Sequence, residues 1–285
     1  MTTWILIALC VAVVVLFMLQ HRLRAKVYEL RNSRHQVSQA LLGNARASRQ
    51  AEIRRDLASR GETARLPVEF RAQQGEDLFL WSLFEGQERG TFIECGAFDG
   101  ERFSVTYIFE AAGWGGVLIE ALPEPFKNCQ AKRTGSRVVN AALSRKGSSG
   151  TAEFLALNHA GIGHSMSRLA ESSLSSAKSM KRAVKVTVPL TTMDEVLGQA
   201  GPRIDFAVLD VEGSELALLD GFDLERHGVR ALLIEEHTAG KDSELRRHME
   251  GRGYEFVSRI GRNDLFVTRK DQALIDRARQ LSLLF

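Results

Sequence analysis

The chain has 285 residues, 44% of them apolar and 26% charged, which suits one large globular domain with extras and excludes collagen-like, low-complexity and wholly disordered classes. The net charge of +3 is unevenly spread: residues 1–20 carry none, residues 21–65 hold 11 Arg/Lys against 4 Asp/Glu, and the rest is acidic by about 4. The body is therefore not a basic nucleic-acid binder, and no nucleic-acid partner is expected. Three cysteines, Cys10, Cys95 and Cys129, are odd in number and far apart. They argue against a disulfide framework and a paired-cysteine metal site, and they suit a reducing compartment.

Trp4 to Leu19 is an unbroken run of sixteen apolar residues, near the short end of the roughly 17–25 that a membrane-crossing helix needs. Arg22, Arg24 and Lys26 follow it at once. A cleaved signal peptide would carry its charges in front and small residues behind. The reading is an uncleaved single span over residues 1–21, with the bilayer as partner and the C-terminal side kept in the cytoplasm by the flanking charge. Residues 22–66 are polar, basic and without proline before Pro67, and they are predicted helical. Leu23, Val27, Leu30, Val37 and Leu41 fall on alternating four- and three-residue steps interrupted at Arg34. That seam allows a homodimer through the stalk, while the arginines equally suit an anionic lipid surface. The segment Gly61 to Pro67 is the expected domain boundary.

From residue 67 to 270 strands and helices alternate. Helix is predicted over Gly75–Glu85, strand over Thr91–Cys95, helix over Phe103–Ala112, strand over Gly116–Glu120, helix over Glu124–Lys132 and strand over Arg137–Leu143. Strands over Thr151–Leu157 and Val184–Leu190 flank a Ser/Gly-rich stretch, Asn158 to Met180. A short helix, Thr192–Leu197, precedes a strongly apolar strand, Ile204–Asp210. Then come a helix at Glu215–Leu219, a strand at Ala231–Glu235, a helix at Ser243–Arg252, and strands near Glu255–Ser258 and Asp264–Thr268. Residues 271–285 form a C-terminal helix. Continuous apolar strands ending in an acid, spaced by helices, indicate a parallel sheet covered on both faces.

Ligands of open α/β sheets bind at the carboxyl ends of the strands. Four such ends carry candidate chemistry. Glu94-Cys95-Gly96-Ala97-Phe98-Asp99-Gly100 combines an acid with glycines that let the backbone turn and approach a ligand. Glu120 ends the second strand, where an acid accepts hydrogen bonds from the two hydroxyls of a ribose. Asn140-Ala141-Ala142 are small residues able to border an adenine. Asp210-Val211-Glu212-Gly213 leaves the most apolar strand towards a helix.

These segments, with Gly113-Trp114-Gly115-Gly116 before Ile119-Glu120, Ile204-Asp205-Phe206 before Asp210-Val211-Glu212-Gly213-Ser214-Glu215, and a final Leu233-Ile234-Glu235-Glu236-His237, resemble the FkbM family of methyltransferases. The resemblance runs from about Gln74 to His237. It implies a class I methyltransferase fold, a Rossmann-like seven-stranded, mostly parallel sheet with helices on both faces. It further implies S-adenosylmethionine as cofactor, and O-methylation of a hydroxyl on a glycan, lipid-linked or other small-molecule acceptor. By position, Glu94, Gly96, Ala97 and Gly100 would hold the methionine part, with Asp99 beside them in the same loop. Glu120 would bind the ribose, Asn140 and Ala141 would face the adenine, and Asp210 and Glu212 would face the methyl group and acceptor. Cys95 and Val105 depart from the family's usual residues; Val105 stands where related sequences often have Asn.

A hydroxyl acceptor benefits from a base, and Glu212, Glu236 and His237 are the candidates, His237 having the best-matched ordinary pKa. Asp210, Glu212 and Glu236 are of a type that binds divalent cations, but their spacing is no signature and no metal is assigned. Asn158 to Ser167, rich in Gly, Ser and His, reads as a lid. Two rival readings stand beside the methyltransferase. One is an NAD-dependent oxidoreductase, which would normally show G-x-G-x-x-G where only Gly96 and Gly100 occur. The other is a membrane-tethered binding module that has kept the fold without the activity.

Overall fold

The computed structural model describes residues 2–157, 168–169, 183–199, 203–238 and 244–283; within helices and strands, the side chains of a few of these, including 2–15, are outside the description. The lid expected at Asn158 to Ser167 lies outside the described residues. The chain divides into two compact units, Met1–Ala51 and Glu52–Phe285.

The first unit is most of one long helix, α1 (Thr2–Ser59). Leu23, Leu30, Val37 and Leu41 are all more than half exposed on it. Among the described residues no helix is long and apolar enough to cross a membrane. The run Trp4 to Leu19, on which a span is expected, falls mostly on side chains outside the description.

The second unit takes in the last turns of α1, because Ile53 and Leu57 there are buried and Arg54 donates to the Val68 carbonyl at 2.8 Å. It continues with α2 (Glu76–Leu83), β1 (Thr91–Cys95), α3 (Tyr107–Ala111), β2 (Gly115–Glu120), α4 (Pro123–Lys132), β3 (Arg137–Asn140), β4 (Ala142–Leu143), β5 (Thr151–Leu157), β6 (Arg168–Leu169) and β7 (Ala183–Thr191). After these come α5 (Met193–Leu197), β8 (Phe206–Leu209), α6 (Glu215–Asp220), β9 (Ala231–Glu235), α7 (Glu244–Gly251), β10 (Tyr254–Ile260), β11 (Asn263–Thr268) and α8 (Gln272–Leu281).

Seven strands form one sheet in the order β10-β11-β9-β8-β1-β2-β3. β9, β8, β1, β2 and β3 are parallel; β11 runs antiparallel between β9 and β10. This is the expected Rossmann-like class I methyltransferase sheet. From β1 the chain winds outward through β2 and β3, then returns to lay β8 on the other side of β1. The strand order thus reverses between β1 and β8, and the carboxyl ends part there into a crevice.

Alternation along the strands sorts the core into two layers. Phe92 and Phe206 meet Phe84, Phe109 and Trp114 on one face, with the Phe109 and Phe206 rings 4.6 Å apart. Ile93, Cys95, Ile119, Ala207, Leu209 and Leu232 pack on the other against Leu218, Leu219 and Met249. Cys95 is buried in that layer, and burial holds its thiol well above the ordinary value.

Two elements differ from expectation. The helix predicted from Phe103 begins only at Tyr107, because residues 98–106 form a loop pinned by buried side chains. The strand predicted over Arg137–Leu143 breaks after Asn140. Its last two residues, as β4, pair with β7 in a second sheet of order β4-β7-β5-β6. That sheet brings Phe154 of β5 to the rim of the crevice.

Candidate active site

The crevice is a cavity of about 320 Å³, at the lower end of the size common for small-molecule sites. Its walls come from the ends of β1, β2, β8 and β9, from the β10–β11 turn and from the segment before α2. Three non-glycine residues have positive φ among those described: Phe98 at 48°, Phe103 at 66° and Glu212 at 53°. All three line this cavity. Side-chain-bearing residues avoid that conformation, and such strain gathers where backbone shape serves a ligand.

On the β1–β2 side, Gly96 and Ala97 both donate their N–H to the Ile119 carbonyl, at 3.0 and 3.1 Å, which folds the loop across the strand ends. Gly96 has φ +79°, and a Cβ there would stand 2.0 Å from the Asp210 carbonyl oxygen. Only glycine fits. Beyond it the Glu120 carboxylate accepts the N–H of Phe98 on Oε2 at 2.9 Å and of Leu122 on Oε1 at 2.8 Å. Each oxygen keeps a lone pair, enough for a pair of vicinal hydroxyls. Burial pushes this carboxyl up to about 7, against the backbone N–H groups of Leu122, Phe98 and Ala121, which favour its charge. A buried carboxylate with spare acceptor capacity on a cavity wall fits the ribose of a nucleoside cofactor.

Four residues expected at the cofactor have other partners. Glu94 touches the cavity, but its carboxylate is taken up by the Ser104 hydroxyl, the Val105 N–H and the Thr106 hydroxyl. Asp99 does not line the cavity. It accepts the N–H groups of Glu101 and Arg102 and pairs with Lys132 at 2.9 Å, contacts that hold it below its ordinary pKa despite burial. Gly100 is required by α4, since a Cβ at its φ of +76° would lie 2.7 Å from Arg133 Cγ and 2.8 Å from Cys129 Sγ. The Asn140 amide turns back to donate to the carbonyls of Glu120 and Ala121, leaving Ala141 and Ala142 as the surface facing the cavity. Asn140 stands apart, at the end of β3; Glu94, Asp99 and Gly100 share one reason, a long loop after β1 that a fully buried Arg133 organises. That guanidinium uses all five N–H donors, on Glu110, the Gly100 carbonyl, the Ser104 hydroxyl, and the Thr106 carbonyl and hydroxyl.

On the β8–β9 side, Asp210 opens onto the cavity floor, and Glu212 and Glu235 line the wall. Desolvation by the surrounding crevice walls, then the carboxylates of Glu235 and Glu212, push Asp210 well above the usual carboxylate range. Glu235 moves the other way: contacts with His237 and Asp210 hold it low against its own burial. The two carboxyls titrate as a pair, Asp210 shifted up and Glu235 shifted down. His237 Nε2 lies 3.1 Å from Glu235 Oε2, and that carboxylate raises the imidazole against the opposing effect of burial. The N–H groups of Val211 and Gly213, at the start of α6, are accepted by Glu215 at 3.3 and 3.0 Å. Capping of this turn is thus Glu215's work.

Glu236, an expected base, faces elsewhere. It is buried against Arg259 at 2.6 Å and accepts the Thr238 N–H. The site residue is its neighbour Glu235, which sequence reasoning noted only as a strand end. The acid ending each parallel strand is the available signal: it singles out Glu94, Glu120 and Asp210 at β1, β2 and β8, and it points equally to Glu235 at β9. Phe98, Phe103, Phe154, Gln74, Arg262 and Asn263 were also missed; they reach the cavity from separate turns and carry no local pattern.

Among curated protein sequences none matches the chain. Distant structural likeness is found to M. capricolum TrmK in complex with S-adenosyl-homocysteine (6% identity, 67% of this chain and 66% of that one, TM-score 0.35) and to the METTL16 methyltransferase domain (10%, 67% and 64%, 0.40). A TehB-like SAM-dependent methyltransferase from Corynebacterium glutamicum is a third (12%, 79% and 100%, 0.33). The present chain spans about two thirds of the first two, and scores this low add nothing to an assignment. The sequence model of the methyltransferase FkbM domain, by contrast, matches residues 94–256 continuously, from the acid at the end of β1 into β10. That stretch is more than half the chain and contains the crevice's strand ends, so the chain belongs to the FkbM methyltransferase family.

Proposed function

We propose that this protein transfers a methyl group from S-adenosylmethionine to a hydroxyl of a glycan, lipid-linked or other small-molecule acceptor. The cofactor follows from the family. The observation carrying the rest is the opposition, across one cavity, of Glu120 on the β2 side and the Asp210–Glu212 turn on the β8 side.

When bound, the cofactor supplies a methyl group already activated on a sulfonium. The chain's own task is to align the acceptor in a dry pocket, since holding reactants at about 3–3.5 Å is the largest contribution available to such a transfer. Glu120 accepts the ribose hydroxyls. Gly96 and Ala97 bring backbone against the cofactor, and Ala141 borders the base. Glu212, held at positive φ on the wall, orients the acceptor hydroxyl and takes its proton, with Asp210 on the floor behind it. His237 positions Glu235 beside them. Phe154, with Ala142 and Leu143, offers an apolar side for the acceptor.

The run Trp4 to Leu19 is a single membrane span in this reading, with the catalytic body on the cytoplasmic side, where the cofactor is available. The exposed seam Leu23, Leu30, Val37 and Leu41 gives the stalk a means of pairing with a second copy.

Calorimetry on the full chain tests the cofactor assignment. S-adenosylmethionine should bind at one site and NAD should not; NAD binding, or no binding of either, would overturn it.

A further inference from the structure

The reading above uses the ends of β8 and β9 only in part. Glu212, Glu235 and His237 each offer one donor atom, and the three atoms lie within 4.8 Å of one another. Glu235 Oε2 and His237 Nε2 are 3.1 Å apart. Glu235 is only 6% exposed, yet among the described residues neither of these two buried atoms has a well-aligned hydrogen-bond partner. At that separation the failure is one of direction, because donor and lone pair do not point along the line joining them. Adjacent ligands of one ion have this arrangement: at metal–ligand distances of about 2.1 Å, neighbouring donor atoms sit about 3 Å apart and aim at a third point.

We propose that Glu212, Glu235 and His237 form a binding site for a divalent metal ion of the manganese class, on the wall of the cavity. Two carboxylates and one imidazole suit a harder divalent transition ion, manganese foremost, better than magnesium or calcium, and without a thiolate they do not suit a soft ion such as copper(I). Three protein ligands leave coordination positions open. Glu212 and Glu235 line the cavity, so an ion they hold borders the space assigned to the acceptor. The site stands on its donor set and does not depend on the methyl-transfer reading.

One group now takes the ion's electrostatic place. Arg262 Nη2 lies 3.3 Å from Glu235 Oε1 and 3.0 Å from His237 Nδ1. Its side chain is 57% exposed, so it can withdraw at little cost. While it donates to Nδ1, the ring proton sits on Nε2; once it leaves, the proton can move to Nδ1 and free the Nε2 lone pair for a metal. Arg262 and the ion are therefore competitors.

That competition gives a test with opposite signs. Mn²⁺ alone is titrated into the full chain, stripped of metal, by calorimetry and by loss of the free-ion electron-spin signal. One ion per chain is expected, with Mg²⁺ weaker. Glu235→Gln and His237→Ala should each weaken Mn²⁺ by about tenfold or more, while Arg262→Ala should tighten it several-fold. Absence of binding at millimolar Mn²⁺, or binding indifferent to Glu235→Gln and His237→Ala in folded variants, overturns the site. If those variants melt, Arg262→Ala decides alone, and an affinity unchanged or weakened is the overturning result. S-adenosylmethionine titrated into the same samples keeps the two readings apart, since its failure to bind would leave the ion site standing.

Discussion

The carbonyl oxygen of Asp210 fills the place where a side chain on residue 96 would begin, 2.0 Å from a Cβ built on Gly96. The two strand ends on either side of the switch point, β1 and β8, are thereby held in backbone contact beneath the cavity. Gly96→Ala meets both that clash and a left-handed φ of +79°, the latter alone worth roughly 1–2 kcal/mol. The variant should melt lower and bind S-adenosylmethionine at least tenfold more weakly. Wild-type affinity in calorimetry would show that the contact has no bearing on the cofactor.

Glu212 and Glu215 stand three residues apart and should separate cleanly. Glu215 accepts the Val211 and Gly213 N–H groups, so Glu215→Ala, which leaves both donors without their acceptor, should lower stability by about 1–3 kcal/mol. Glu212→Gln should leave the melting temperature nearly unchanged and reduce turnover by ~10²-fold, the scale of a lost general base. Cofactor affinity should hardly move. A normal rate with a lowered melting temperature would return Glu212 to a structural role.

Arg133 is fully buried with all five donors used, beside Glu110 at 2.9 Å and Glu94 at 3.8 Å. Lysine has three donors and no planar fork, so Arg133→Lys leaves buried acceptors unsatisfied. A loss of about 3 kcal/mol is expected, the scale of breaking a buried ion pair. The exposed pair Lys185–Glu153 provides the contrast: Lys185→Ala should change stability by no more than ~0.5 kcal/mol. Equal effects in denaturant unfolding would contradict the network's role.

Glu120 titrates at about 7 in the folded protein, raised from an ordinary value of 4.5 by burial. Protons are therefore bound more tightly in the native state, and this residue's contribution to stability is full below 4.5 and falls as pH rises to about 7. Ribose hydroxyls donate to the ionised form, so affinity for S-adenosylmethionine should increase as pH rises through 7. Glu120→Ala should weaken binding at least tenfold, each charge-assisted bond being worth ~1.5–3 kcal/mol, and should flatten that pH profile. A profile that survives the substitution belongs to another group.

A reporter fused after the last residue should be active on the cytoplasmic side, because Arg22, Arg24 and Lys26 follow the apolar run. Activity on the opposite side of the membrane would reverse the orientation and separate the body from its cofactor.

The parallel sheet and the family were legible in the sequence because both are written in short local patterns. Apolar runs such as Phe206 to Leu209, short and spaced by helical patterns, read as strands buried on both faces, and an acid or glycine at their ends marks the ligand edge. Gly96, Ala97, Glu120, Ala141, Asp210 and Glu212 stand at or just beyond such ends, and each lines the cavity. Which polar groups face the ligand and which serve the scaffold was decided only in three dimensions. Glu94 and Asp99 belong to the same motif as Gly96, yet their carboxylates are held by Ser104, Thr106 and Lys132, residues that become neighbours only when the loop folds around Arg133. The choice of Glu235 over Glu236 is likewise a matter of strand alternation at one residue: a shift of one position turns a carboxylate from the cavity to Arg259. Sequence fixes the order of such residues along a strand, but the face each presents depends on where the strand ends, and packing against β8 and β11 sets that end.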